Sequence, residues 1–187
     1  MRMKLPLTTL IFLIILGVVS CKKQKENPKY SFVSIQLENG SSEEKYPAQS
    51  SSASINSSVY CMLTRLNLQK VITTSNYVDN RLAMQNSTPI QSFVITSNVD
   101  FNASLLAGDT LNSLFGIYNN DYFNVKNLDE FSSSDFQNIT YYNDGPFYFD
   151  RFLLLKEKPT VLGTRKFYVK MTSPQNFYYD SVEVDLY

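Results

Sequence analysis

Apolar and polar residues alternate with a period of two along much of this chain, and the alternation predicts strands in both halves. Val33, Ile35 and Leu37 share one parity while Ser34 and Gln36 take the other, which predicts a first strand over 30–37. Val59, Cys61 and Leu63 repeat the pattern and Arg65 continues it, predicting a second strand over 58–68. Residues 69–88 keep no clean period, and a strand near Val71 is the one element expected there. Phe93, Ile95, Val99 and Phe101 alternate apart from a slip at Ser97-Asn98, where a bulge or kink is expected. The apolar run 147–156 and the alternating stretch 165–172, with Phe167, Val169 and Met171 set against Lys166, Tyr168 and Lys170, predict two more strands. After a turn at 173–176, Phe177 and Tyr179 have one parity and Val182, Val184 and Leu186 the other. An extra residue near Asp180-Ser181 is expected to restore a single buried face, giving an antiparallel hairpin with a bulge.

Helical signals are short. Over 108–116, Asp109 or Thr110 is placed to cap a helix, Leu111, Leu114 and Phe115 share a face, and Gly116 stands where a helix would stop. Asn127 with Glu130 three residues on is a second cap signal, ahead of Leu128 and Phe131. Clusters at 119–121 and 143–146 read as turns. Residues 39–58 are rich in serine and poor in large apolar side chains, so a mobile loop is expected there. Many strands, many turns and little helix predict an all-β fold: an antiparallel β-sandwich over 30–187 as one domain, with one or two short helices.

The first residues follow a different rule. Arg2 and Lys4 precede an apolar run over 10–19, and Ser20 puts a small residue before Cys21, the layout of a secretory signal peptide over 1–20. A bilayer span needs roughly 17–25 apolar residues. Pro6, Thr8 and Thr9 interrupt the run, and lysines begin directly after Cys21, so a transmembrane helix is the weaker reading. Residues 21–29, with Lys22, Lys23, Lys25 and Lys29 and with Asn27-Pro28 discouraging a helix, read as an extended tether.

Charge and composition narrow the function classes. The chain has 17 Lys+Arg and 17 Asp+Glu. Once the leader and the basic tether are set aside the body is acidic, which argues against nucleic acid as a partner. There is no histidine, so the commonest general base and metal ligand is missing, and there is no tryptophan. No Gly-rich phosphate loop, nucleophile elbow or metal-ligand spacing occurs, so neither a cofactor nor a metal is expected. Of two cysteines, Cys61 sits in an apolar stretch and reads as a buried structural thiol.

The segment Val18-Val19-Ser20-Cys21 resembles the lipobox of bacterial lipoproteins. That resemblance implies cleavage before Cys21 and lipidation of its thiol. Several acyl chains hold a protein durably to a bilayer, each buried CH₂ contributing ~0.8 kcal/mol. With the lysine-rich tether, the β-rich body, the Leu155-Lys156-Glu157-Lys158-Pro159 stretch, Gly163 and a closing hairpin, the chain resembles small lipoproteins of Bacteroidota, many with immunoglobulin-like sandwiches. The resemblance implies a lipid anchor in the cell envelope, at the outer membrane, on either its periplasmic or its surface face. In the same setting Asp109-Thr110-Leu111 and Asp180-Ser181-Val182 resemble the O-glycosylation signal of that phylum, with Thr110 and Ser181 as acceptors. The other reading is that Asp109-Thr110 caps a helix and Ser181 fills a bulge.

Two functions are expected to compete. The first is a non-enzymatic binding or structural module for a protein or glycan partner, using an aromatic patch on turn-rich segments. Tyr141 and Tyr142 are its leading candidates, with Tyr118, Phe123 and Tyr148 near them. The second is a carbohydrate-active or other hydrolytic enzyme that uses carboxylates among Asp144, Asp150 and Glu157, which requires two of them at a set separation.

Overall fold

The computed structural model describes residues 29–43, 46–71, 83–86, 90–119, 124–128, 138–140 and 148–187. The expected leader, Cys21 and the expected tether through residue 28 lie outside these residues. Among the described residues twelve strands follow in order: β1 Lys29–Ser41, β2 Ala48–Gln49, β3 Ser54–Ile55, β4 Tyr60–Val71, β5 Ala83–Asn86, β6 Ser92–Ser97, β7 Phe115–Asn119, β8 Asn124–Asn127, β9 Asn138–Thr140, β10 Tyr148–Leu155, β11 Gly163–Thr172 and β12 Phe177–Leu186. The larger sheet runs β8-β7-β10-β4-β1-β5-β9, with β2 also paired to β1; the smaller runs β3-β12-β11-β6. Most pairings are antiparallel, and the two curled sheets pack as an all-β sandwich. Among the described residues no helix is long and apolar enough to cross a membrane.

One core joins the sheets. Ile35, Leu37, Met62, Leu66 and Leu153 face Ile95, Phe167, Val169, Met171 and Val184, all buried. Each such side chain contributes roughly 1.5–3 kcal/mol through burial. In β11 the expected alternation holds, with Phe167, Val169 and Met171 inside.

In β1 the parity shifts. The register with β4 slips between Phe32 and Ser34, so Phe32 turns inward and Val33 is exposed rather than sharing a face with Ile35 and Leu37. The larger ring fills the core and meets Tyr178 edge-on at 6.3 Å.

In β4 the core takes Tyr60, Met62, Leu66 and Leu68, the parity opposite to the expected Val59, Cys61 and Leu63. Cys61 and Leu63 are buried as well, on the other face. A strand between two long neighbours, β10 and β1, is apolar on both sides, so its pattern alone does not tell which side meets the second sheet.

The helix expected over 108–116 is absent. A single 3₁₀ turn, Asn112–Leu114, leads straight into β7, and Gly116 is a strand residue. Tertiary contacts override the local signal: the Asn112 amide accepts from Ile95 N at 2.9 Å and donates to Phe93 O at 2.7 Å, supplying the partner that the free edge of β6 lacks. Asp109 caps no helix; its Oδ2 accepts from Leu106 N. Of the second cap signal, Asn127 ends β8 and Leu128, directly after it, has 3₁₀ conformation; Glu130 and Phe131 lie outside the described residues.

The serine-rich segment carries two short strands. β2 pairs with the end of β1 and β3 with the end of β12, so this stretch straps one sheet to the other. Ile55 reaches the core, and polar side chains order the rest: Ser52 Oγ donates to Ser54 O, and Asn56 Oδ1 accepts from Ser58 N.

Along one side the sandwich is closed by side chains. β1 and β12 run alongside each other, with Tyr178 OH donating to Phe32 O (3.0 Å), Leu37 N donating to Asp180 Oδ2 (2.7 Å) and Asn39 Nδ2 donating to Glu183 O (2.8 Å). The β11–β12 turn therefore lies at the end of the fold where β1 begins.

Candidate functional site: an aromatic and lysine face

The bulge expected near Asp180-Ser181 does not form. β11 and β12 pair without interruption from Gly163↔Leu186 to Thr172↔Phe177. With no register shift, Val184 and Leu186 point into the core while Phe177 and Tyr179 point out of it, 71% and 55% exposed. The parity change was a real signal. It marks a strand whose outer face turns aromatic, because both ends stay locked to an alternating partner.

This outer face is built by strand register. Lys170 lies opposite Tyr179, Tyr168 opposite Ser181, and Lys166 opposite Glu183. The Tyr168 and Tyr179 rings stack with centroids 5.9 Å apart and planes 17° from parallel. Lys170 Nζ stands 5.7 Å from the centre of the Phe177 ring and Lys166 Nζ 5.9 Å from that of Tyr168. Each ammonium sits within range of a ring quadrupole, so aliphatic stems, rings and charges form one patch. Partial burial, then Tyr168 and Asp180, push the Tyr179 phenol up from its ordinary value. Phe177 and Tyr179 are two residues apart on one strand, so their rings are offset along it by roughly 6.7 Å. β6 flanks the patch through Val94, opposite Lys170, and Thr96, opposite Tyr168. The surface presents apolar ring area, hydroxyls and two lysines on one sheet face, with the exposed Glu183 at its Lys166 margin.

The expected site residues are distributed otherwise. Tyr141, Tyr142, Phe123, Asp144 and Cys21 lie outside the described residues. Tyr118 is buried in β7, and Tyr148 lies under the Arg65 guanidinium at 4.7 Å. Thr110 is exposed in the loop before the 3₁₀ turn, while Ser181 is half-buried in β12, in the middle of the aromatic face. Asp150 forms a two-point ion pair with Arg65 (2.9 and 3.0 Å), and Glu38 approaches the same guanidinium at 3.9 Å. The Asp150 hydrogen bond is the main reason Arg65 is held above its ordinary pKa. Glu157 is exposed beyond the end of β10. From Asp150 to that strand end is roughly 17 Å, more than the ~5–9.5 Å that separates paired glycosidase carboxylates. Among the described residues no three of Cys, Asp and Glu gather as a metal site.

Cys61 is fully buried and its thiol is pushed up to about 12 by burial. It packs so closely under Gly40 that a Cβ there would stand 2.8 Å from the sulfur. A thiol held protonated and covered is a packing group.

The chain matches no protein-family model and no curated protein.

Proposed function

We propose that this protein is a lipid-anchored, non-enzymatic binding module of the bacterial outer membrane, tethered through Cys21, whose aromatic and lysine face binds an acidic polysaccharide. The exposed cluster of Phe177, Tyr179 and Tyr168 between Lys166 and Lys170 carries the reading. Aromatic faces take the apolar C–H faces of sugar rings, and lysines meet carboxylate or sulfate groups. A protein partner is less suited, because lysine is depleted from the cores of protein interfaces. Nucleic acid is disfavoured by the acidity of the body as a whole. The immunoglobulin-like comparison extends to the two-layer antiparallel plan, although the larger sheet has more strands than either sheet of that fold.

The face lies at the end of the sandwich where β1 begins. Residues 21–28 separate the lipidated cysteine from β1, a reach of at most ~28 Å, and the Phe177 end of β12 lies beside the start of β1. The glycan would be held close to the bilayer.

The test uses the full-length protein. Labelled fatty acid should enter it and fail to enter Cys21→Ser. In affinity electrophoresis through acidic polysaccharides, Phe177→Ala/Tyr179→Ala should lose at least tenfold in affinity with its unfolding midpoint unchanged. Equal retardation of variant and parent would remove the face from the function.

A further inference from the structure

Arg165 is 1% exposed, one of the largest fully buried side chains of the fold. As an inward residue of β11, it enters the core at the Gly163 end of that strand, away from the β11–β12 turn and beside Phe101 and Val161. Its Nη2 donates to Val161 O, but Nε and Nη1 are buried with no acceptor. Aromatic rings flank it, Phe101 with its centre at 5.4 Å and Phe167 at 5.9 Å. Tyr60 stacks on Phe167 and is held neutral by burial, its pKa well above the ordinary phenol range. Among the described residues Arg65 has two carboxylate neighbours, Asp150 and Glu38, and Arg165 has none.

A lysine so placed could shed its proton, whereas a guanidinium keeps its charge in a protein interior. Ring quadrupoles offset part of the cost of burying it. A water molecule would satisfy hydrogen bonds and leave the charge unpaired. Only a negative charge meets both demands, and among the described residues no carboxylate is paired with Arg165.

We propose that Arg165 is the core of an internal binding site for a small monovalent anion of the halide class, held by Nε or Nη1 and acting as a structural counter-ion. The site is sealed, so exchange requires the loops above it to open. Gly163 (φ 113°) and Gly108 (φ 89°) sit at their bases in a backbone region that other residues rarely adopt. Exposed Val161 and Leu162 form the outer surface of one of these loops.

The full-length protein should be unfolded by heat in sodium chloride mixed with sodium gluconate at constant ionic strength, gluconate being too bulky to enter. The midpoint should rise with chloride in a saturable way, by about 3–5 °C per tenfold increase once chloride exceeds its dissociation constant. Arg165→Met, which keeps the side-chain bulk without the charge, should lose that dependence. In bromide-soaked crystals an anomalous peak should lie beside Nε or Nη1, and this measurement decides the matter if Arg165→Met does not fold. A chloride response equal in parent and variant, no response at all, or water beside Arg165 with no bromide peak would overturn the site.

Discussion

The carboxylate of Asp180 accepts the backbone N–H of Leu37 at 2.7 Å across 143 residues of sequence. Leu37 lies on the stretch of β1 that β2 and β5 leave unpaired, so its amide would otherwise be a half-buried orphan. Asp180→Ala is expected to cost about 1.5–3 kcal/mol, the range for a hydrogen bond to a charged group. Asp180→Asn keeps an acceptor and should cost less. Urea unfolding of the two variants measures the difference; equal losses would mean that the seam does not depend on this bond.

Cys61 predicts a pH dependence with a definite sign. The thiol ionises near 9.0 in its unperturbed state and at about 12 in the fold. A group whose folded pKa is raised contributes its full stability below pH 9 and loses it as pH climbs toward 12. Between pH 9 and 10 the expected loss from this thiol is about 1 kcal/mol. Denaturant unfolding at pH 8, 9 and 10 should show it, with a shallower fall in Cys61→Ala. Native protein at pH 8 should leave a thiol reagent unreacted at Cys61 until it unfolds.

Gly40→Ala should destabilise the fold by about 1–3 kcal/mol, since the new methyl would stand 2.8 Å from Cys61 Sγ and 2.9 Å from Ala48 O. Adding Cys61→Ala relieves the sulfur contact and leaves the backbone contact, so thermal unfolding of the double variant should show only partial recovery. Full recovery would show that the β2 carbonyl yields freely.

The two glycosylation signals are placed differently enough to separate. Thr110 and Asp109 are both exposed, whereas Ser181 is half-buried in a paired strand and Asp180 is engaged at the seam. Peptide mass measurement on protein from its native host should find hexose at Thr110 and none at Ser181. A glycan on Ser181 would cover the Tyr168 and Tyr179 rings and count against that face as a binding surface.

What the sequence determined by itself is the local alternation: an all-β body, the strands at 30–37, 58–68, 147–156 and 165–172, and the turn at Ser173 to Asn176. A period of two states that the sides of a strand differ, and residues close in sequence suffice to reveal it. Which side meets the core depends on partners far along the chain. Only the tertiary structure decided that the slip in β1 lies at Val33, that β12 runs straight and leaves Phe177 and Tyr179 outside, and that Asn112 docks on β6 instead of opening a helix. The same holds for the charges. Nothing in the order of residues near Asp180 or Arg165 shows that one bonds across a seam and the other is buried without a counter-charge, because long-range packing sets both environments.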